Sequence, residues 1–267
     1  MKSCKLSKVS EKKWRTNILK KNEKCYGIAK YNIGHLKNAI WIYYCLFIIQ
    51  YVLVLGSTID GDSSGVENYT MIFLFIVGIV VTRKTFYFSQ ANNVSRKSYL
   101  KGMIMSVLFI AITMSIIDVA INRVFNVFAV TPTCYDMVYG NFRDLNILTD
   151  KALWKQANDI WTLINTVSFQ FITYSIYMTF GMIIGTIYFK CERTTKVLLL
   201  IITLVLIRWT GMAFYHNASI KEGVETFINF ICGCNPLRPI LGIVTSAIGF
   251  IIIATILKAL IKEATVR

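Results

Sequence analysis

Long apolar blocks with few charges run through this chain at 39–55, 69–82, 103–128, 160–189, 197–215 and 240–261, and they limit its fold more than any other feature. A bilayer's hydrocarbon core is about 30 Å thick, so a helix rising about 1.5 Å per residue needs about 20 apolar residues to cross it. The second block is short alone and needs an extra turn at either end. The fourth is long enough to cross with tilt. Backbone amides find no water in hydrocarbon, so a single segment crosses as a helix. The expected fold is all-α: a polytopic integral membrane protein with about six transmembrane helices. Composition agrees, with 55% hydrophobic and 16% charged residues, where soluble domains carry about 25% charged. A soluble fold could not cover that much apolar surface.

Charge between the blocks gives an orientation. The segment after the first block holds Asp60, Asp62 and Glu67 and no Lys or Arg. The next connection has Arg83, Lys84, Arg96, Lys97 and Lys101 and no acid. The third, 129–159, is mixed; the fourth is tight and basic, with Lys190, Arg193 and Lys196; the fifth is mixed; and the chain ends with Lys258, Lys262 and Arg267. Lys and Arg collect on cytoplasmic loops. The alternation therefore expects both termini in the cytoplasm of a multi-pass protein of the cell membrane.

Two regions follow from this division. Residues 1–38 form a basic cytoplasmic or interfacial lead-in, with eleven Lys or Arg against Glu11 and Glu23, and residues 39–267 form the six-helix transmembrane domain. The net charge of +15 would point to nucleic acid in a soluble protein. Ahead of a span it points to membrane orientation and to anionic lipid, with no nucleic-acid partner. About 38 mostly polar residues precede the first apolar block, unlike a secretory leader, so the first span is expected to be retained. Pro132, Pro236 and Pro239 all lie in the larger outer connections, leaving the spans free to run straight.

Catalytic signatures are few. No glycine begins a Gly-x-x-x-x-Gly-Lys-Ser/Thr run, whose amides would wrap a nucleotide's phosphates. The two histidines, His35 and His216, fall short of a zinc ligand set, so no metal site and no catalytic residue are expected. Seven scattered cysteines do not form a disulfide framework. Cys134 and the pair Cys232 and Cys234 share the outer side, where they could bond or simply pack as small apolar side chains. Gly181 and Gly185, four apart in the fourth block, allow close helix packing.

Asp118 and Arg208 are the costliest side chains in the hydrocarbon. Both lie about 18–25 Å from the cytoplasmic edge by helical rise. They read as a pair, either as a tie between helices or as a polar lining on a substrate path. Arg208 reaching to the outer headgroups is a variant of that reading.

The stretch 83–102, RKTFYFSQANNVSRKSYLKG, carries the most information. It interleaves Phe86, Tyr87, Phe88, Val94 and Tyr99 with basic residues, and is read as a short amphipathic helix along the membrane. Asn93 or Ser95 is placed to cap the helix leading into the third span. Such a surface suits docking of a soluble partner, although an ordinary basic inner loop would look similar.

At residues 86–97 (FYFSQANNVSRK) the chain resembles the permease subunits of type-2 ABC exporters, and among them small Firmicute exporters such as those of phenol-soluble modulins. The resemblance extends to the basic residues between Lys12 and Lys37, the six spans, and 219–239 as an outer hairpin. It implies a coupling helix over Thr85 to Lys97, with Phe86, Tyr87, Phe88, Asn93, Val94, Ser95, Arg96 and Lys97 contacting an ABC ATPase subunit. It further implies a homodimer or pseudo-symmetric dimer of permeases in membrane lipid, with ATP and Mg bound by the partner ATPase and no cofactor on this chain. The substrate would be amphipathic or hydrophobic, such as a peptide. The long polar connection at 131–159 departs from the family's pattern and leaves the outer gate open to question. A non-transport immunity or sensor component is the alternative reading.

Overall fold

A computed structural model describes residues 2–56, 67–128, 130–140, 155–191, 223, 226, 229, 232–234 and 238–262. Among the described residues the regular elements are all helical: α1 (Lys2–Gly56), α2 (Glu67–Ala91), α3 (Arg96–Phe125), the short α4 (Cys134–Tyr139), α5 (Ile160–Lys190) and α6 (Pro239–Lys262). Of these, α2, α3, α5 and α6 are long and apolar enough to cross a membrane. The chain is an all-α, polytopic membrane protein. The fifth apolar block, 197–215, lies outside the described residues.

The second block gains its missing length from flanking residues. Glu67 and Asn68 extend it at one end, and 83–91 extend it at the other, giving 25 residues in all. The first block is the C-terminal part of α1, a helix of 55 residues that passes position 38 without a break. Pro239 opens α6, where its missing amide costs nothing.

Two contacts organise the bundle. α2 packs against α5 where glycines let the backbones meet: a Cβ on Gly185 would lie 2.7 Å from the Ile79 carbonyl, and one on Gly181 would collide with the Phe75 carbonyl. The glycine pair in the fourth block thus finds its partner in α2. α1 packs against α3 along Cys25, Ile28, Ala29, Asn32 and Leu36, all buried at helical spacing. Gly102 makes that approach possible, since a Cβ there would sit 2.6 Å from the Cys25 carbonyl. The core runs between these seams through Leu74, Val81, Met103, Val107, Met114, Tyr174, Met178 and Met182. Outward-facing Ile72, Ile76, Phe109, Ile116, Ile251 and Ile252 stay exposed, the inverse of a soluble fold and the arrangement a lipid solvent favours.

Candidate functional site

The bundle has unlike ends and a polar centre. At one end meet the part of α1 that precedes the first apolar block, the α2–α3 connection and the last turn of α6. That end is basic: Lys24, Lys30, Lys37, Arg83, Lys84, Arg96, Lys97, Lys101, Lys258 and Lys262 are exposed there.

The α2–α3 connection differs from the sequence expectation. No separate amphipathic helix forms over Thr85 to Lys97: α2 continues to Ala91, and α3 begins at Arg96. The physical reason is packing. Thr85, Phe86 and Ser89 are buried, so this stretch of α2 is held in the bundle rather than released onto the membrane surface. The turn itself is tight. The Val94 amide donates to the Ser89 carbonyl at 2.9 Å, and the Asn93 amide to that of Gln90 at 3.0 Å. Asn93 takes φ +50°, a left-handed conformation that Asn tolerates better than most residues. Ser95 caps α3, its hydroxyl accepting from the Ser98 amide, which is the capping role assigned to Asn93 or Ser95.

The turn is anchored from three sides. Val94 and Tyr99 are buried, and the Phe86 ring meets Tyr99 edge-on at 5.5 Å. The Phe88 ring stacks on Tyr31 of α1 at 4.0 Å, and Lys24 Nζ donates to the Asn93 carbonyl at 3.2 Å. Arg96 donates to the Lys262 carbonyl at the end of α6. Tyr87, Asn92, Asn93, Ser95 and Lys97 remain exposed, with the Arg83 guanidinium over the Tyr87 ring. Of the eight residues assigned to coupling, Phe86 and Val94 thus anchor the tip and Phe88 is half-buried.

Next to this end a polar knot ties α1 to α2 and α3. Asn32 is fully buried; its Nδ2 donates to Ser106 Oγ at 3.1 Å and its Oδ1 accepts from Thr85 Oγ1 at 2.5 Å. A buried amide with both functions satisfied fixes register between helices.

Deeper in the bundle stands Asp118. Its Oδ1 accepts from the Tyr44 hydroxyl at 2.9 Å, and its Oδ2 from Thr70 at 2.7 Å and Tyr174 at 2.5 Å. One carboxylate thereby joins α1, α2, α3 and α5. Thr70 also bonds Tyr43 at 2.5 Å. The expected partner of Asp118, Arg208, lies outside the described residues. What surrounds Asp118 among the described residues is a shell of hydroxyls.

At the far end, α2 starts with Glu67, whose Oε1 accepts from Gln170 Nε2 at 2.9 Å and whose Oε2 accepts from the Cys134 amide at 3.3 Å. A capping box between Thr133 and Asp136 starts α4. Tyr135, Tyr139 and Cys234 then cluster beside Phe169 of α5, and the Tyr139 hydroxyl donates to the Cys232 carbonyl at 2.6 Å. The polar segment 131–159 is therefore folded against the bundle where it is described. Among the described residues no disulfide joins Cys134, Cys232 and Cys234, and Cys232 and Cys234 pack in the Tyr135 and Tyr139 cluster. Burial pushes the Cys134 thiol well above its ordinary range, and the Glu67 carboxylate beside it acts in the same direction. Among the described residues no group of three or more His, Cys, Asp or Glu could hold a metal ion. Most of the outer hairpin expected at 219–239 lies outside the described residues; Gly223, Thr226 and Asn229 are helical, and 232–234 form a turn.

No family model, no curated protein and no solved structure matches the chain. The site must therefore be read from its own chemistry.

Nothing in the sequence marked Tyr44, Thr70 and Tyr174 as the donors to Asp118, or Glu67 and Gln170 as a bonded pair at the far end. Each hydroxyl sits in or beside an apolar block, where Tyr and Thr read as ordinary span residues. The usable signal was Asp118 itself: a buried carboxylate requires donors, and the nearest candidates were polar side chains on other spans.

Proposed function

We propose that the chain is the membrane-spanning permease subunit of an ATP-driven exporter of the ABC type. In this reading it moves an amphipathic or hydrophobic substrate such as a peptide out of the cell, while a separate subunit hydrolyses ATP. The observation that carries the reading is the α2–α3 tip. A motor protein can transmit force only through a contact that does not yield. This tip is a tight helical turn held by α1, by its own buried Phe86, Val94 and Tyr99, and by the end of α6. Its outer surface offers Tyr87, Asn92, Asn93, Ser95 and Lys97 to a partner. Force on the tip would pass along α2 and α3 to the Asp118 cluster, which links four helices. Exposed apolar side chains along α6, among them Val244, Ile248 and Ile252, leave that helix open to lipid or to a second permease copy or paralogue.

The test is ATP hydrolysis by the complex purified from native membranes through this chain. The wild-type preparation should contain a soluble ATPase whose turnover falls when the permease is removed. Lys97→Glu tests the contact most cleanly, because Lys97 is exposed while Arg96 also ties α6. That variant, and the double reversal Arg96→Glu/Lys97→Glu, should release the ATPase. Retention of both binding and stimulated turnover in the double reversal would remove the coupling role from this tip.

A further inference from the structure

Polar side chains form a buried column through the far half of the bundle. On α2, Glu67 stands one turn from Thr70. On α5, Thr166, Gln170 and Tyr174 follow one another at helical spacing, and on α3 Asn122 stands one turn from Asp118. All are buried. Hydrogen bonds join the helices along the column: Gln170 Nε2 donates to Glu67 at 2.9 Å, and Thr70 and Tyr174 donate to Asp118 at 2.7 and 2.5 Å. Gln170 Oε1 is closed off from solvent and has no hydrogen-bond partner among the described residues. A buried carbonyl in that position is costly, and water admitted to the column would satisfy it.

Residues 130–140 meet the end of this column as a strap. The Cys134 amide donates to Glu67 Oε2 at 3.3 Å, and the Thr131 carbonyl accepts from Asn122 Nδ2 at 2.8 Å. The other end of the strap reaches α6, where the Tyr139 hydroxyl donates to the Cys232 carbonyl at 2.6 Å and lies against Gly242 so closely that a Cβ there would collide with it. Arg123, near the end of α3, attracts Asp136 of the strap together with Glu67 and Asp159. Charge and hydrogen bonds thus hold the strap down. Its apolar packing is a separate matter. Tyr135 and Tyr139 belong to a small cluster with Cys234 and Phe169, apart from the main core, and of the strap it is Cys134 that touches that core. A cavity of about 130 Å³ beside the start of α5 is lined by Tyr135, Tyr139 and Gly140 of the strap and by Ala157 and Thr162. Segments with few buried apolar contacts open locally at a lower free energy than the whole fold.

We propose that residues 130–140 are a gate: the strap closes a polar path from the far end of the bundle to Asp118, and it lifts off α2, α3 and α6 while the main core stays packed. Lifting admits water and small polar solutes to Glu67, Gln170 and, one turn deeper, to Thr70 and Asp118. The gate lies at the opposite end from the α2–α3 tip, and its opening is read as access to the column whether or not the chain is a transporter.

The test is the labelling rate of a single cysteine in the column by a small water-soluble methanethiosulfonate, on the full-length protein in detergent with its native cysteines replaced. Thr166→Cys is the reporter, because the Thr166 hydroxyl bonds only the Thr162 carbonyl of its own helix. With the strap intact it should react at least about tenfold more slowly than Asn158→Cys, an exposed position. Tyr139→Phe removes the bond to the Cys232 carbonyl and keeps the ring, so it should speed labelling by up to about tenfold. Asp136→Ala, which removes the capping box and the charge facing Arg123, should speed it at least as much. Ser106→Cys, in the polar knot at the basic end, should keep its rate in both strap variants. Reaction of Thr166→Cys as fast as Asn158→Cys before any strap change overturns the proposal. So do unchanged rates in both strap variants, and equal acceleration at 106, which would mean general loosening of the bundle. Should Thr166→Cys not fold, Thr70→Cys decides by the same outcomes.

Discussion

Replacing Asp118 by Leu tests whether the hydroxyl shell holds the bundle together. Leu has the same branching as Asp, so the change removes acceptors with little change of shape. Tyr44, Thr70 and Tyr174 then lose their common acceptor. Hydrogen bonds between membrane helices average about 0.6 kcal/mol and reach about 1.7, so losing three should cost about 2–5 kcal/mol. Much of that cost comes from hydroxyls left buried without a partner. Removing them too should restore stability: Asp118→Leu/Tyr44→Phe/Tyr174→Phe should recover at least about half the loss. Thr70 can stay, because Tyr43 still bonds it. The assay is reversible unfolding in mixed micelles, followed by the fluorescence of the chain's five tryptophans. A single variant within about 0.5 kcal/mol of wild type, or a triple variant no more stable than the single one, would refute the reasoning.

Further outcomes follow from local geometry. Gly181→Ala should destabilise by about 1–3 kcal/mol in the same assay, because its methyl meets the Phe75 carbonyl. Gly34→Ala, with open space around the added carbon, should instead gain up to about 1 kcal/mol from helix propensity. Asp159 caps α5, and the Thr162 hydroxyl and amide hold its carboxyl below the ordinary value of 3.8. Its stabilising share is present above that value and fades as pH falls through the lower folded pKa. Asp159→Asn should therefore flatten the acid-side loss of stability in thermal melts between about pH 5 and pH 2, and an unchanged acid limb would contradict the cap.

The helices were legible because their driving force is local in sequence. Four of the six apolar blocks reappear as α2, α3, α5 and α6, and a fifth forms the end of α1. A continuous apolar run needs no tertiary information to be a helix in lipid. The glycine pair at 181 and 185 was legible for the same reason, although its partner face on α2 was not. The connection at 83–102 was misread as a surface helix, because its aromatic residues fit equally a membrane surface and a helix–helix seam. Only the neighbours decide, and Tyr31 and Tyr99 supply the seam. Asp118 was identifiable by cost alone, but its three donors come from distant segments and carry no charge to mark them. Arg123 stood in the sequence as an interruption of the third block; that its nitrogens are buried and, among the described residues, without a hydrogen-bond partner is a property of packing around it.

The orientation underlies the whole account, since the α2–α3 tip can meet an ATPase only from the cytosol. With the seven native cysteines replaced, one new cysteine at Asn92 and another at Asn158 can be labelled separately by a membrane-impermeant maleimide on intact cells. Both positions are exposed and lie at opposite ends of the bundle. The expected result is reaction at 158 in intact cells and at 92 only after permeabilisation. Reaction at 92 from outside, with 158 protected, would contradict the orientation and the proposed coupling together.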